Sequence, residues 1–206
     1  MLVIVDYGMG NLGSIANMIH KLGSKSIISS DPNVIATADK LILPGVGAFD
    51  HGMINLKEKE LFSVLQTKVL KEKTPILGIC LGMQLMGKFS AEGNEEGLGW
   101  IDGGCVRFDF TNKNAQLRIP HMGWNEVHVV KENPLIDNEL EDTRYYFVHS
   151  YHMQCNDHSQ VLGTANYGYE FPCCVNHENI YGVQFHPEKS HKFGMRLLTR
   201  FMEGCQ

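Results

Sequence analysis

The chain has 206 residues, which suits one domain with its own buried core, spanning 1–206. Hydrophobic residues make up 43% and charged residues 20%, which excludes disorder, and 21 Gly against 7 Pro without a repeat excludes a collagen-like fibre. Lys+Arg 18 against Asp+Glu 23 leaves a net charge of −5, so no basic excess exists to neutralise phosphates, and neither nucleic acid nor an acidic membrane surface is an expected partner.

Leu2-Val3-Ile4-Val5 is a short, wholly apolar run that reads as a buried strand. It stops at Asp6, too short for a secretory leader, and no run approaches the ~18 apolar residues of a membrane span, so a cytoplasmic location is expected. After a Gly-rich turn, Leu12, Ile15, Ala16 and Ile19 predict a helix closed by Gly23. Ser26–Ser29 and Leu41–Leu43 are the next strands. Leu61, Val64, Leu65 and Val69 place a helix over Leu56–Lys71, and Pro75–Ile79 is a fourth strand that runs directly into a helix at about Leu81. Apolar strands alternating with helices predict an α/β fold with a mostly parallel central sheet and helices on both faces. The acidic, Gly-rich stretch Ala91–Gly99 reads as a surface loop. From about Cys105 the runs shorten and alternate, at Val127–Val130, Tyr145–Val148, His152–Cys155, Cys173–Asn176 and Tyr181–Phe185, which predicts added antiparallel strands. A last helix opened by Ser190 carries Phe193, Leu197 and Phe201. Six cysteines, none in a CxxC pair, do not make a disulfide framework; most read as buried small hydrophobes.

Two motifs point to different chemistries. Gly8-Met9-Gly10-Asn11-Leu12-Gly13 is a GxGxxG between the first strand and a helix, and Asp31 near the end of the second strand completes a dinucleotide fingerprint. A nicotinamide-dependent oxidoreductase is therefore one alternative, although a tight turn and close helix packing alone also call for such glycines. Gly78-Ile79-Cys80-Leu81-Gly82, where the fourth strand breaks into a helix, has the form of a nucleophile elbow with Cys in place of Ser. Small flanking residues let the chain turn sharply and push the thiol out of the sheet top.

A thiol nucleophile needs a base. In His186-Pro187-Glu188 the proline biases His186 toward extended backbone, where residues two apart project to the same side, so Glu188 can orient the imidazole and leave its other nitrogen for Cys80. Gly45-Val46-Gly47 after the third strand can present backbone N–H groups to an oxyanion, with the N–H of Leu81 as a second donor. Gln84, one helical turn past Cys80, can reach a substrate held at the thiol. His149 with His152, and His186 with His191, lack a third ligand at a recurring spacing, and a metal on His186 would remove the base. No metal is expected.

The elbow, Leu43-Pro44-Gly45-Val46-Gly47-Ala48-Phe49 and His186-Pro187-Glu188 resemble the class I (triad) glutamine amidotransferases. Within that class, Asp6-Tyr7-Gly8-Met9-Gly10-Asn11-Leu12 and Pro120-His121-Met122-Gly123-Trp124-Asn125 resemble the glutaminase subunits of imidazole glycerol phosphate synthases. The resemblance implies a flavodoxin-like fold, no cofactor, and hydrolysis of L-glutamine by Cys80, His186 and Glu188 with the oxyanion on Val46, Gly47 and Leu81. It carries glutamine contacts to Gly47, Gln84, Glu92, Ser150 and Tyr151; Ser150 stands where Thr is at least as readily expected. It also implies a heterodimer with a (β/α)8-barrel synthase subunit, which joins the ammonia to a phosphoribulosyl intermediate in histidine biosynthesis. The interface would use Asn11, Met122, Trp124 and Lys189. A related alternative is a glutaminase that supplies ammonia to a sugar amidotransferase in surface polysaccharide synthesis. The glutaminase-like domain takes up all 206 residues, so the ammonia is expected to be consumed on another chain. Until that partner binds, the oxyanion loop is expected to be misaligned, since losing one aligned donor costs on the order of 10²–10³ in rate.

Overall fold

The computed structural model describes residues 1–111, 117–136 and 143–205. Its strands are β1 (Leu2–Val5), β2 (Ser26–Ser29), β3 (Lys40–Leu43), β4 (Ile76–Ile79), β5 (Gly103–Arg107), β6 (His121–Glu126), β7 (His128–Val129), β8 (Arg144–His149), β9 (Tyr151–Cys155), β10 (Val161–Asn166), β11 (Glu170–His177) and β12 (Ile180–Val183). The helices are α1 (Leu12–Lys21), α2 (Pro32–Ala36), α3 (Phe49–Glu58), α4 (Leu61–Gln66), α5 (Leu81–Leu85) and α6 (His191–Gly204).

Eight strands form one sheet in the order β2-β1-β3-β4-β12-β11-β10-β7. The first five run parallel, and β12 pairs with β4 so that Gly182 faces Gly78 and Val183 faces Ile79. Beyond β12 the sheet turns antiparallel. Alternate residues of one strand enter opposite layers of core, as the period of two requires. Val3, Val5 and Leu41 pack with Leu56, Leu61 and Leu65 on one face, while Leu2, Ile4 and Ile42 pack with Ile15, Ile19 and Leu197 on the other. Both faces being covered, the central strands carry no polar alternation. Two further pairs, β5–β9 and β6–β8, complete the strands.

The expected helix over Leu56–Lys71 is not one helix. α3 ends at Glu58, Glu60 turns left-handed at φ 59°, and the chain restarts as α4 before a π turn over Thr67–Lys71. Phe49, Met53 and Leu56 form the buried stripe of α3, and Leu61, Leu65 and Val69 form a second stripe after the break. Ala91–Gly99 is a surface loop, as expected, and it is anchored. Asp50 accepts the N–H groups of Asn94 (3.0 Å) and Glu95 (2.9 Å), and Lys57 pairs with Glu95 at 2.5 Å, which ties the segment to α3.

Lys40 reaches across the sheet and donates to the carbonyls of Phe201 (2.9 Å), Met202 (2.8 Å) and Cys205 (2.6 Å), capping the C-terminal end of α6. A cation there satisfies orphan carbonyls and complements the helix dipole. Lys40→Met is expected to cost about 1–2 kcal/mol by the usual worth of charged hydrogen bonds, discounted for partial exposure, and urea unfolding measures it.

Candidate active site

The junction of β4 and α5 places Cys80 at φ 54°, ψ −109°, a backbone position that a side chain rarely occupies and that costs on the order of 1–3 kcal/mol. Neighbouring glycines make it possible. A Cβ on Gly82 would stand 1.8 Å from the Leu43 carbonyl oxygen, and one on Gly78 would stand 2.8 Å from the Met83 backbone. Cys80 N–H donates to Val183 O at 2.8 Å, which pins the elbow to β12, and the thiol-bearing residue stays 7% exposed.

His186 follows β12 in extended backbone, and its Nδ1 lies 2.8 Å from Glu188 Oε1, with side chains 1% and 2% exposed. This is the i, i+2 geometry expected of the His-Pro-Glu triplet. Ser190 occupies the N-cap position of α6 but its hydroxyl makes no cap bond there; it donates to His186 O at 2.6 Å and accepts Tyr146 N–H at 3.0 Å, locking the turn to β8. His186 Nε2 forms no hydrogen bond with the described residues, and His186 lines the same cavity as Cys80. Burial opposes the imidazolium, but the Cys80 thiol and the Glu188 carboxylate outweigh it and raise the His186 pKa to about 9.

That direction fixes a pH dependence. Since the folded pKa is raised above 6.5, the stability His186 contributes is complete below that pH and lost as pH rises through about 9. An imidazole that has lost its proton cannot protonate a leaving nitrogen, so kcat/KM for glutamine is expected to fall through the same alkaline range. Glu188→Gln removes one of the groups that raise the pKa and should move that fall to lower pH in paired pH profiles; an unmoved limb would exclude His186 as its source.

The cavity at Cys80 measures about 300 Å³ and is lined by Val46, Gly47, Cys80, Leu81, Gln84, Glu92, Ser150, Tyr151 and His186, which are the expected catalytic, oxyanion and substrate residues except Glu188, which lies behind His186. Pro120, Val148 and His149 complete the lining and were not anticipated there, although Pro120 opens a quoted motif and Val148 and His149 directly precede Ser150. Gln84 is buried, with its side-chain nitrogen donating to Tyr151 O (3.0 Å) and Gln184 Oε1 (3.1 Å), so a ligand can meet only its oxygen. Glu92 Oε2 accepts Phe49 N–H at 2.9 Å, which caps α3 and fixes a carboxylate at the cavity wall. Gly47 adopts φ +112°, and Leu81 N–H, one of the expected oxyanion donors, is held by Gly45 O at 3.3 Å.

His149 and His121 form a buried chain. Asn125 Nδ2 lies 3.2 Å from His121 Nε2, His121 Nδ1 lies 2.9 Å from His149 Nε2, and His149 Nδ1 lies 2.8 Å from Tyr151 O. Each ring then donates once and accepts once, the pattern of neutral imidazoles, and burial lowers their pKa values to about 4 and about 3. His152 is engaged elsewhere, with Met153 O and the Tyr169 hydroxyl.

Trp124 is not a core aromatic. It is 45% exposed and Met122 61% exposed, on the outward face of β6. Trp124 stacks on His191 at 5.7 Å, beside Tyr146, over which Lys189 Nζ stands at 5.8 Å; Asn11 is exposed at the start of α1. In the Gly8–Gly13 loop, Gly8 and Gly10 take positive φ, and a Cβ on Gly10 would stand 3.2 Å from Pro44 and 3.3 Å from Gly45 N. The loop therefore packs on the oxyanion segment. Asp31, the acid of the nucleotide fingerprint, instead caps α2 by accepting Asn33 N–H at 2.8 Å.

A strained Cys elbow, a His–Glu pair whose imidazole lines the same cavity and a 2-1-3-4 parallel sheet extended by antiparallel strands define a class. Residues 3–205 match the family described as glutamine amidotransferase class-I, and the chain belongs to it. A solved structure described as a glutamine amidotransferase superposes with TM-score 0.75 at 19% identity, covering 98% of this chain and 97% of that one. More particularly, the chain is similar to the imidazole glycerol phosphate synthase subunit HisH 2 of Methanococcus maripaludis, 55% identical over 98% of this chain and 99% of that one. It is also similar to the subunit HisH 2 of Pseudomonas aeruginosa, 47% identical over the same shares.

Proposed function

We propose that this chain is the glutaminase subunit of an imidazole glycerol phosphate synthase. The convergence of Cys80 and His186 on one cavity of amino-acid size, with Glu188 behind His186 at 2.8 Å, carries the reading. Cys80 Sγ, with the proton of the Cys80–His186 pair held on His186 Nε2, attacks the side-chain amide carbon of glutamine. The carbonyl oxygen becomes an oxyanion held by the backbone N–H of the Val46–Gly47 segment and of Leu81. His186 then protonates the amide nitrogen, the C–N bond breaks, and ammonia leaves a glutamyl thioester on Cys80. Water, deprotonated by His186, attacks the thioester carbon; glutamate departs and the Cys80–His186 pair has its proton again. Glu188 orients His186 throughout. Glu92 is the acidic residue of the lining and pairs with the substrate's α-ammonium, while Ser150, Tyr151 and the oxygen of Gln84 supply further polar contacts.

The ammonia passes to a (β/α)8-barrel synthase subunit seated on Asn11, Met122, Trp124 and Lys189. An exposed Trp beside an exposed Met is the composition of an interface anchor, since aromatic residues and Met concentrate there. Mixing the two chains is expected to give a one-to-one complex by gel filtration whose glutaminase rate rises at least tenfold when the acceptor ligand is added. Trp124→Ala should weaken the complex by about 2 kcal/mol, the scale of an interface hot spot, with an unchanged unfolding curve for the free chain. A barrel partner that consumes the ammonia on a sugar would instead assign the chain to polysaccharide synthesis.

A further inference from the structure

Tyr7, two residues past β1, is fully buried in the core layer that holds Leu43 and Leu81, yet its hydroxyl has no hydrogen-bond partner among the described residues. Leaving a buried hydroxyl unpaired costs on the order of 1–3 kcal/mol, and a Phe would fill the same space without that cost. The position of the hydroxyl gives it a use. It lies against Gly45, so close that a Cβ on that glycine would stand 2.3 Å from Tyr7 Oη. Gly45 is also the residue whose carbonyl holds Leu81 N–H at 3.3 Å, on the amide just after Cys80. Burial first and the nearby Cys80 second hold the phenol in its protonated form, so Tyr7 remains a donor.

Two needs meet at this glycine. An oxyanion on the glutamyl carbon requires Leu81 N–H, and that N–H cannot serve the oxyanion fully while it is shared with Gly45 O. Once released, Gly45 O would itself be a buried carbonyl in search of a donor. We propose that Tyr7 is a positioning residue for the oxyanion site: its hydroxyl takes over the Gly45 carbonyl as glutamine is attacked, freeing the Leu81 amide for the substrate oxygen. The exchange takes rotation of a hydroxyl and a shift of a glycine peptide that its lack of a side chain leaves free to move. It also gives Gly45 a reason beyond turn geometry, because any side chain there would displace the phenol.

The proposal rests on the glutaminase reading above, and its test separates the two. Tyr7→Phe, assayed in the complex with the barrel subunit, is expected to lower kcat for glutamine hydrolysis about tenfold, the effect of one hydrogen bond in the transition state, with KM changed less than about twofold. Alkylation of Cys80 by iodoacetamide, which displaces iodide at a saturated carbon and forms no oxyanion, should keep its native rate. Thermal stability should hold or rise, since an unpaired hydroxyl has been removed. An unchanged kcat would overturn the proposal and leave the hydroxyl as a packing defect. A parallel loss in kcat and in alkylation would also overturn it, placing Tyr7 in support of the thiol. Cys80→Ala in the same assays reports on the underlying reading alone: if that variant still hydrolyses glutamine, the nucleophile assignment fails whatever Tyr7→Phe does.

Discussion

Cys80→Ala is expected to lower glutamine-dependent synthesis by the complex at least about 10⁴-fold while synthesis from added ammonium salts stays within about twofold of native. In the proposed mechanism only the Cys80 thiol attacks the amide carbon, and no neighbour replaces it: the other five cysteines are buried, and burial raises the pKa of Cys155 to about 11 and pushes that of Cys105 higher still. In the proposed division of labour the acceptor site lies on the partner, so ammonia supplied from solution bypasses the missing step. The substitution should leave the fold intact, because Ala at φ 54° carries the same backbone strain as Cys and vacates only the space of one sulfur. Steady-state assays with each nitrogen source measure it, and equal loss with both would refute the division of labour between the chains.

Gly82→Ala is expected to be the most damaging single methyl group at the site. Its Cβ would meet Leu43 O at 1.8 Å, Leu43 C at 2.8 Å and Pro44 C at 3.3 Å, all backbone atoms that no rotamer change can move. Either α5 lifts from β3 or the Pro44–Gly47 segment shifts, and both displace the oxyanion donors relative to Cys80. Overpacking of this kind costs about 2–3 kcal/mol, a fall in Tm of about 4–12 °C for a chain of this size, together with most of the glutaminase activity. Gly13→Ala is the matched control. No atom lies within 4 Å of its Cβ, it sits in the first turn of α1, and helix propensity makes it neutral or slightly stabilising. Calorimetry of both variants decides whether Gly82 of the elbow carries a steric constraint that Gly13 of the GxGxxG does not.

The parallel half of the sheet was legible because its strands are buried on both faces and so appear as unbroken apolar runs, with caps and glycines marking the helices between them. The elbow and the His–Glu pair of the proposed site were legible for a local reason: an elbow and an i, i+2 pair are written within five residues of sequence. β6 was not, because it inverts the usual pattern. Met122 and Trp124 face outward while His121 turns inward to bond His149, so a polar residue is buried and apolar residues are exposed. β5 and β10 contain paired or central glycines in short runs, which reads as turn rather than strand. α2 depends on the Asp31 cap, and Asp31 had a competing reading as a nucleotide ligand. The burial of Gln84 depends on Gln184, a partner one hundred residues away that no local periodicity reveals. The GxGxxG misdirects for a physical reason: two of its glycines answer to backbone conformation and to close contact with Pro44 and Gly45, needs that a dinucleotide site shares.

The most direct measurement follows the nitrogen. With the complex turning over glutamine labelled with ¹⁵N in its side-chain amide, in the presence of excess unlabelled ammonium, the imidazole product should carry nearly the full enrichment of the glutamine, and Cys80→Ala should yield only unlabelled product. Product from the native complex with the isotopic composition of the bulk ammonium would contradict the account.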